Sequence, residues 1–162
     1  MTVCFVAFGG NLGPVKATFD RCCDSLKSCS AISHFELSPL YITSPVSTIE
    51  QPPYLNAVCR FTCTLSLYEL FSLLKNIEER MGKRPKPKTH PRPIDLDLLF
   101  YGEEVHCSKE LVVPHPRWHE RLFVIKPLSD LVDILALPQK IDVKSLVKNF
   151  PNKNNEIVER YE

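Results

Sequence analysis

The residues of this chain best suited to chemistry are two aspartates one residue apart, Asp95 and Asp97, in the run Ile94-Asp95-Leu96-Asp97-Leu98. In a strand, side chains alternate between faces, so both carboxylates project from one face and Ile94, Leu96 and Leu98 from the other. Aspartate is depleted in strands, and two carboxylates on one face repel each other unless a cation lies between them. Magnesium takes one or two carboxylates and completes its shell with waters and substrate phosphates. The pair therefore reads as a phosphate-bridged magnesium site; the competing reading is an edge strand carrying charge against aggregation. The preceding segment favours the first. Lys83, Arg84, Lys86, Lys88 and Arg92 crowd a stretch without an acidic residue, stiffened by Pro85, Pro87 and Pro91. Carboxylates for a metal and cations for phosphate oxygens are the two halves of an ATP site. Alone, such a loop would read as a solvated basic face or a nucleic-acid patch. Farther on, His115 stands between Pro114 and Pro116, followed by Arg121. A histidine held there can donate to a phosphate or a leaving oxygen, whereas a lone histidine is ordinarily a surface or capping residue.

The elements that must position these groups are legible in outline. Val3 to Phe8 is an apolar run predicting a buried strand, with Gly9-Gly10-Asn11 as a turn. Pro14 suits the first turn of a helix whose stripe is Val15, Phe19, Cys22 and Leu26. His34 to Thr43 is predicted extended, and Thr43 to Pro53, with its prolines, an irregular loop. Tyr54 to Leu65 alternates as a strand. Ser66-x-x-Glu69 is a capping box opening a helix with the stripe Leu67, Leu70, Phe71, Leu74, Ile77 and Met81, stopped by Gly82. Prolines forbid a helix or central strand over Lys83 to Pro93. Ile94 to Tyr101 is a strand closed by Gly102, Val105 to Val113 a short strand pair, and Val143 to Phe150 a helix capped by Asp142. The tail from Pro151 to Glu162 is polar and expected to be loose. Strand, helix, strand, strand, helix, strand is the ferredoxin-like βαββαβ order of an α+β domain, here with C-terminal additions, and the whole of residues 1–162 is expected to form one domain.

Composition narrows the function classes. The 162 residues are 44% apolar and 24% charged, ordinary for a globular domain, and a net charge of +1 gives no global field for nucleic acid or membrane. No apolar run is long enough to span a bilayer. Seven cysteines, an odd number with Cys22 and Cys23 adjacent, point to a reducing cytoplasm rather than a disulfide framework, and none has zinc-ligand spacing.

Taken together, these motifs resemble the 6-hydroxymethyl-7,8-dihydropterin pyrophosphokinases of folate biosynthesis. The matching stretches are Phe8-Gly-Gly-Asn-Leu-Gly13, Tyr41-Ile-Thr-Ser-Pro45, Gln51-Pro-Pro-Tyr-Leu-Asn56, Pro91-Arg-Pro-Ile-Asp-Leu-Asp-Leu-Leu-Phe-Tyr-Gly102, Val113-Pro-His-Pro116 and Arg121-Leu-Phe123. The resemblance implies transfer of an intact pyrophosphoryl group from ATP to the pterin hydroxymethyl, releasing AMP. It implies two Mg2+ ions on Asp95 and Asp97, with Arg84, Arg92 and His115 joining them as catalytic groups. ATP ligands on the same basis are Arg84, Lys88, Arg92, Leu98, His115, Arg121 and Glu78. The pterin would be stacked between Tyr54 and Phe123 and read by Asn56, with Thr43, Pro45, Val46 and Asp95 completing the pocket. Members of the family are often fused to other folate-pathway enzymes. This chain departs from the family pattern at Gly10, where serine is usual, and at Thr89 and His90, where a loop tryptophan is missing. The rival from another class is a ferredoxin-like RNA-binding module using the basic loop, and a third reading is a catalytically dead, partner-binding relative. Asp95 and Asp97 on the sheet would repel RNA, and the intact pair with Arg92 and His115 speaks against the third.

Overall fold

Nine consecutive residues, Thr2–Gly10, form β1, the strand on which the sheet is built. Its buried run has side chains to spend on both faces. Cys4, Val6 and Phe8 enter one core, and Phe5 and Ala7 enter another. The structure is a computed structural model that describes residues 1–44, 50–87, 90–136, 140–151 and 156–161. After β1 come α1 (Val15–Lys27), β2 (Ile32–Leu37), β3 (Tyr41–Thr43), β4 (Tyr54–Cys63), α2 (Leu67–Arg80) and β5 (Asp95–Tyr101). Then follow β6 (His106–Cys107), β7 (Val112–Val113), α3 (Leu122–Ser129), β8 (Ile134–Ala136), β9 (Lys140–Asp142), α4 (Val143–Lys148) and β10 (Val158–Arg160). The main sheet runs β10-β3-β4-β1-β5, with β2 also on β4, and its pairings are antiparallel. This is the expected ferredoxin-like order.

The stripes expected of both helices are the buried ones. Phe19, Cys22, Leu26, Leu70, Leu74 and Ile77 pack with Phe8, Phe61 and Leu96 on one sheet face. Ser66 caps α2 as a full capping box with Glu69, and Asp142 caps α4 by accepting the Ser145 N–H. The opposite face carries a second core under α3, α4 and Trp118, so helices cover the sheet on both sides. A bulge supplies part of that core. Phe5 pairs with Phe100 and Val6 with Leu98, leaving Leu99 extra, and Leu99 and Phe100 both enter the second cluster. Burial holds Cys4 and Cys22 up at about 12 and Cys23 at about 11, out of reach of thiolate chemistry. Among the described residues no helix is long and apolar enough to cross a membrane.

Four expectations change. The predicted turn at Gly9-Gly10 is strand, because β1 pairs with β4 through Gly10↔Leu55. The single extended segment from His34 to Thr43 is two strands on the same edge of β4. Between them the Ser38 hydroxyl accepts the Val58 N–H, a ladder bond that side chain replaces beside Pro39. The helix α3 is not apparent in the sequence, because Pro127 lies inside it. The tail expected to be loose returns to the sheet, where Val158–Arg160 pair with β3.

Gly10 also explains itself. A Cβ there would lie 2.5 Å from the Pro93 carbonyl oxygen and 3.1 Å from its carbon. In this chain a serine at that position has no room beside Pro93. Gly10→Ala is therefore expected to destabilise the protein by about 1–3 kcal/mol, the usual range for overpacking, as measured by urea denaturation. A loss below about 0.5 kcal/mol, the scale of a neutral surface change, would contradict this close packing.

Candidate functional site

Strand register assembles the site. Gly9 pairs with Asp95 on one side and with Asn56 on the other, and Tyr41 pairs with Asn56 from β3. Ala7 pairs with Asp97 and with Val58. Directly paired residues share a face, so two rows cross the sheet on the side away from α1 and α2. One is Asp95–Gly9–Asn56–Tyr41 and the next is Asp97–Ala7–Val58. Both aspartates thus face the same way, as their spacing predicts, while Ile94, Leu96 and Leu98 enter the helix-side core. Gly9 leaves a bare shelf between carboxylate and amide, since a Cβ there would lie 3.2 Å from Asn56 Nδ2. Asn56 is buried, and its Oδ1 accepts the hydroxyl of buried Thr43. That bond commits the oxygen and presents the NH2 end over the shelf.

Asp95 is already held by cations. Lys83 Nζ lies 2.6 Å from Asp95 Oδ1 and 2.6 Å from Glu78 Oε2. Arg92 Nη1 donates to both Asp95 oxygens, at 3.4 and 3.2 Å. Burial alone would lower the Lys83 pKa, but its bonds to Asp95 and Glu78 outweigh that and leave it raised. Asp97 is the strained member. Burial first, then the charges of Asp95 and Glu78, push its carboxyl up, against smaller opposing effects of Lys75 and Arg121. The loop that carries Arg92 is pinned to the end of β1. Asn11 Oδ1 accepts the Arg92 N–H at 3.0 Å, and the Asn11 and Leu12 N–H groups donate to the Arg92 carbonyl. Asn11 Nδ2 reaches across to Gln51 Oε1 at 2.9 Å and the Pro52 carbonyl at 3.0 Å. One buried side chain thus ties together both loops that flank the site.

The other expected residues fall as follows. Tyr54 opens β4, and its raised phenol, set first by burial, also feels Arg92 and Asp95, which places it beside them. Phe123 is the second residue of α3, with the Arg121 guanidinium 5.8 Å from its ring centre. His115 is fixed through its N–H to the Leu99 carbonyl and through Nδ1, which accepts the Arg117 N–H. Three more of the expected residues are placed as follows. The Leu98 side chain is buried on the far side of the sheet from the aspartates. Glu78 is buried at 2% exposure, and its oxygens are taken by Lys75, Lys83 and the Leu96 N–H, so it braces β5 from behind. Arg84 is exposed and donates to the Lys83 carbonyl, so it is not among the groups gathered at Asp95. Pro45, Val46 and Lys88 lie outside the described residues. Sequence reasoning missed Asn11 and Lys83 as site residues. Asn11 lies in the Phe8–Gly13 stretch but has no reactive group. Lys83 was one of several interchangeable cations until the fold placed it against Asp95.

Among the described residues no cluster of three or more histidines, cysteines or acids is poised for a metal. The candidate donors are the two carboxylates of Asp95 and Asp97. Two crowded carboxylates, one with its charged form disfavoured, fit a hard dication whose remaining ligands come from water and phosphate. The crowding has a measurable consequence. Because the Asp97 pKa is raised by folding, its ionisation costs stability above the unfolded value near 4 and nothing below it, where both states are protonated. With chelator present, Asp97→Asn should raise the melting temperature at pH 7, and the gain should vanish as pH falls below about 4. An unchanged or lower melting temperature at pH 7 contradicts the crowding.

A family model described as 7,8-dihydro-6-hydroxymethylpterin-pyrophosphokinase (HPPK) matches residues 5–133. The mitochondrial folate synthesis bifunctional protein of Arabidopsis thaliana is 41% identical over 127 residues, 78% of this chain and 23% of that protein. The 2-amino-4-hydroxy-6-hydroxymethyldihydropteridine pyrophosphokinase of Haemophilus influenzae is 34% identical over 154 residues, 93% of this chain and 94% of its own. The chain therefore spans about a quarter of the plant bifunctional relatives and nearly all of the bacterial one. Among solved structures, an HPPK-DHPS in complex with substrates matches with a TM-score of 0.68 over 91% of this chain and 43% of that one. At 12% identity that likeness is one of fold.

Proposed function

The chain belongs to the 7,8-dihydro-6-hydroxymethylpterin-pyrophosphokinase family, and from that premise we propose that it transfers the pyrophosphoryl group of ATP to the hydroxymethyl of 6-hydroxymethyl-7,8-dihydropterin, releasing AMP. The observation that carries the reading is the row Asp95–Gly9–Asn56, which sets a carboxylate and a buried amide either side of a bare glycine. A flat bicyclic ring lying over Gly9 would meet the Asn56 NH2 with its polar edge and direct its substituent toward Asp95 and Asp97. Tyr54 and Phe123 supply aromatic faces for stacking.

On this reading Asp95 and Asp97 hold magnesium, two ions in all, and the bound metal supplies charge neutralisation on the phosphates. The remaining work is alignment. Phosphoryl-type transfer asks a protein mainly to position the reactants and offset charge. Arg92 and Lys83 stand against Asp95 and can turn to phosphate oxygens, while Arg121 lies near enough for its charge to act on Asp97 and His115 is tied to the Leu99 carbonyl. Asn11 keeps Arg92 and the Gln51–Pro52 segment in register while this happens. Closure of the two proline-rich loops excludes water. Among the described residues no side chain is placed as a general base. Cytoplasmic placement belongs to the same reading, supported by seven free cysteines.

The test is incubation with ATP, magnesium and the reduced pterin alcohol. AMP should form in step with pterin diphosphate, and ADP should not. Asp95→Ala and Asp97→Ala should nearly abolish turnover with the fold retained. Tyr54→Ala and Phe123→Ala should weaken pterin binding by about 1–3 kcal/mol and ATP binding much less. Formation of ADP, or wild-type turnover in either aspartate variant at saturating magnesium, would overturn the assignment.

A further inference from the structure

The C-terminal strand lies beyond residue 133, where the family match ends, yet it is wired into both walls of the candidate pterin cleft. β10 pairs with β3 so that Val158 lies opposite Thr43, and Arg160 opposite Tyr41. Thr43 is the residue whose hydroxyl fixes the Asn56 amide. The other wall is α3, which carries Phe123 near its start and Asp130 as its C-cap. Asp130 gathers three elements. One oxygen accepts the Tyr41 hydroxyl from β3, and the other accepts Arg160 Nη2 from β10 at 3.0 Å. From the middle of α3, Lys126 Nζ donates to the Val158 carbonyl at 2.6 Å. Val158 itself is 3% exposed, sealed into the far-face core with Tyr41, Ile125 and Leu128.

We propose that β10, clamped by Lys126 and Asp130, is a strap that sets the spacing between the Phe123 helix and the Thr43–Asn56 floor, making Lys126, Asp130 and the 158–160 strand positioning elements for the pterin. The inference rests on the pterin reading of the site. The geometry separates the two substrates. β3 and α3 border the ring pocket, whereas Asp95, Asp97, Lys83 and Arg92 sit on β5 and its preceding loop, which β10 does not touch in the sheet order. A β-strand with three residues is short, and without β10 the β3 segment would be an edge held only by β4. Loss of the strap should therefore loosen the ring pocket and leave the phosphate side in place.

The experiment compares the full chain with three variants. These are a chain ending at Pro151, Lys126→Met, which removes the bond to Val158, and Lys126→Arg, which can restore it. KM for the pterin, KM for ATP, kcat and the melting temperature are measured for each. Displacing a substrate by about 1 Å can cost up to ~100-fold, so a pterin KM at least about tenfold higher is expected for the shortened chain and for Lys126→Met. The ATP KM should stay within about twofold, and Lys126→Arg should recover most of the loss. A merely structural role would lower the melting temperature without splitting the two KM values. If the shortened chain fails to fold, the Lys126 pair decides. Equal changes for both substrates, or an unchanged pterin KM in Lys126→Met, overturn the strap. A full-length protein that makes no AMP from ATP and pterin overturns the functional reading instead, and the strap with it.

Discussion

Everything at this site depends on two like charges being held on one face of a strand. Asp95 and Asp97 cannot move apart, because β5 is fixed to β1 by its ladder and by Leu96 and Leu98 locked in the helix-side core. The fold meets the cost from behind and from the side. Glu78, buried on α2, takes the Leu96 N–H and anchors Lys83, and Lys83 and Arg92 neutralise Asp95. Among the described residues Asp97 has no such direct cation, and burial first, then the charges of Asp95 and Glu78, hold its carboxyl up. On the proposed function, a dication with phosphate would relieve that crowding. Lys83 and Arg92 would then be free to act on the phosphate side.

On the proposed function, the same sheet face lets one small domain bring together two dissimilar substrates. Antiparallel register converts neighbouring strands into rows, and one row joins a metal-type carboxylate to a buried amide across a glycine. The additions after β5 cover the far face over Phe5, Val58 and Phe100, and the Asp95–Gly9–Asn56 row lies at the margin of that cover. Asn11 connects the flanking loops through a single side chain, so the Arg92 loop and the Gln51–Pro52 segment share one anchor.

How much of this was legible in the sequence differs by element, for physical reasons. The helices α1 and α2 were readable because their stripes and the Ser66–Glu69 box are local signals. The shared direction of Asp95 and Asp97 followed from strand alternation alone. The role of Lys83 was not readable, since five similar cations lie within ten residues and only tertiary contact with Glu78 and Asp95 distinguishes one of them. Glu78 entered only through the family resemblance, and its burial against the Leu96 backbone is a tertiary contact that no local pattern announces. α3 was hidden by Pro127, which breaks the usual helix pattern, and β10 by a polar sequence whose one buried residue, Val158, pairs at long range. Gly9 and Gly10 looked like a turn because glycine marks turns more often than it marks a crowded strand.

The central claim is that the carboxylate pair and the ring pocket are adjacent parts of one surface. The most direct measurement is paramagnetic relaxation of bound pterin by Mn2+ in place of magnesium, with a non-hydrolysable ATP analogue present. The hydroxymethyl protons should relax far faster than any ring position, and the effect should disappear in Asp95→Ala. Uniform relaxation across the pterin, or an effect that survives the loss of Asp95, would contradict the account.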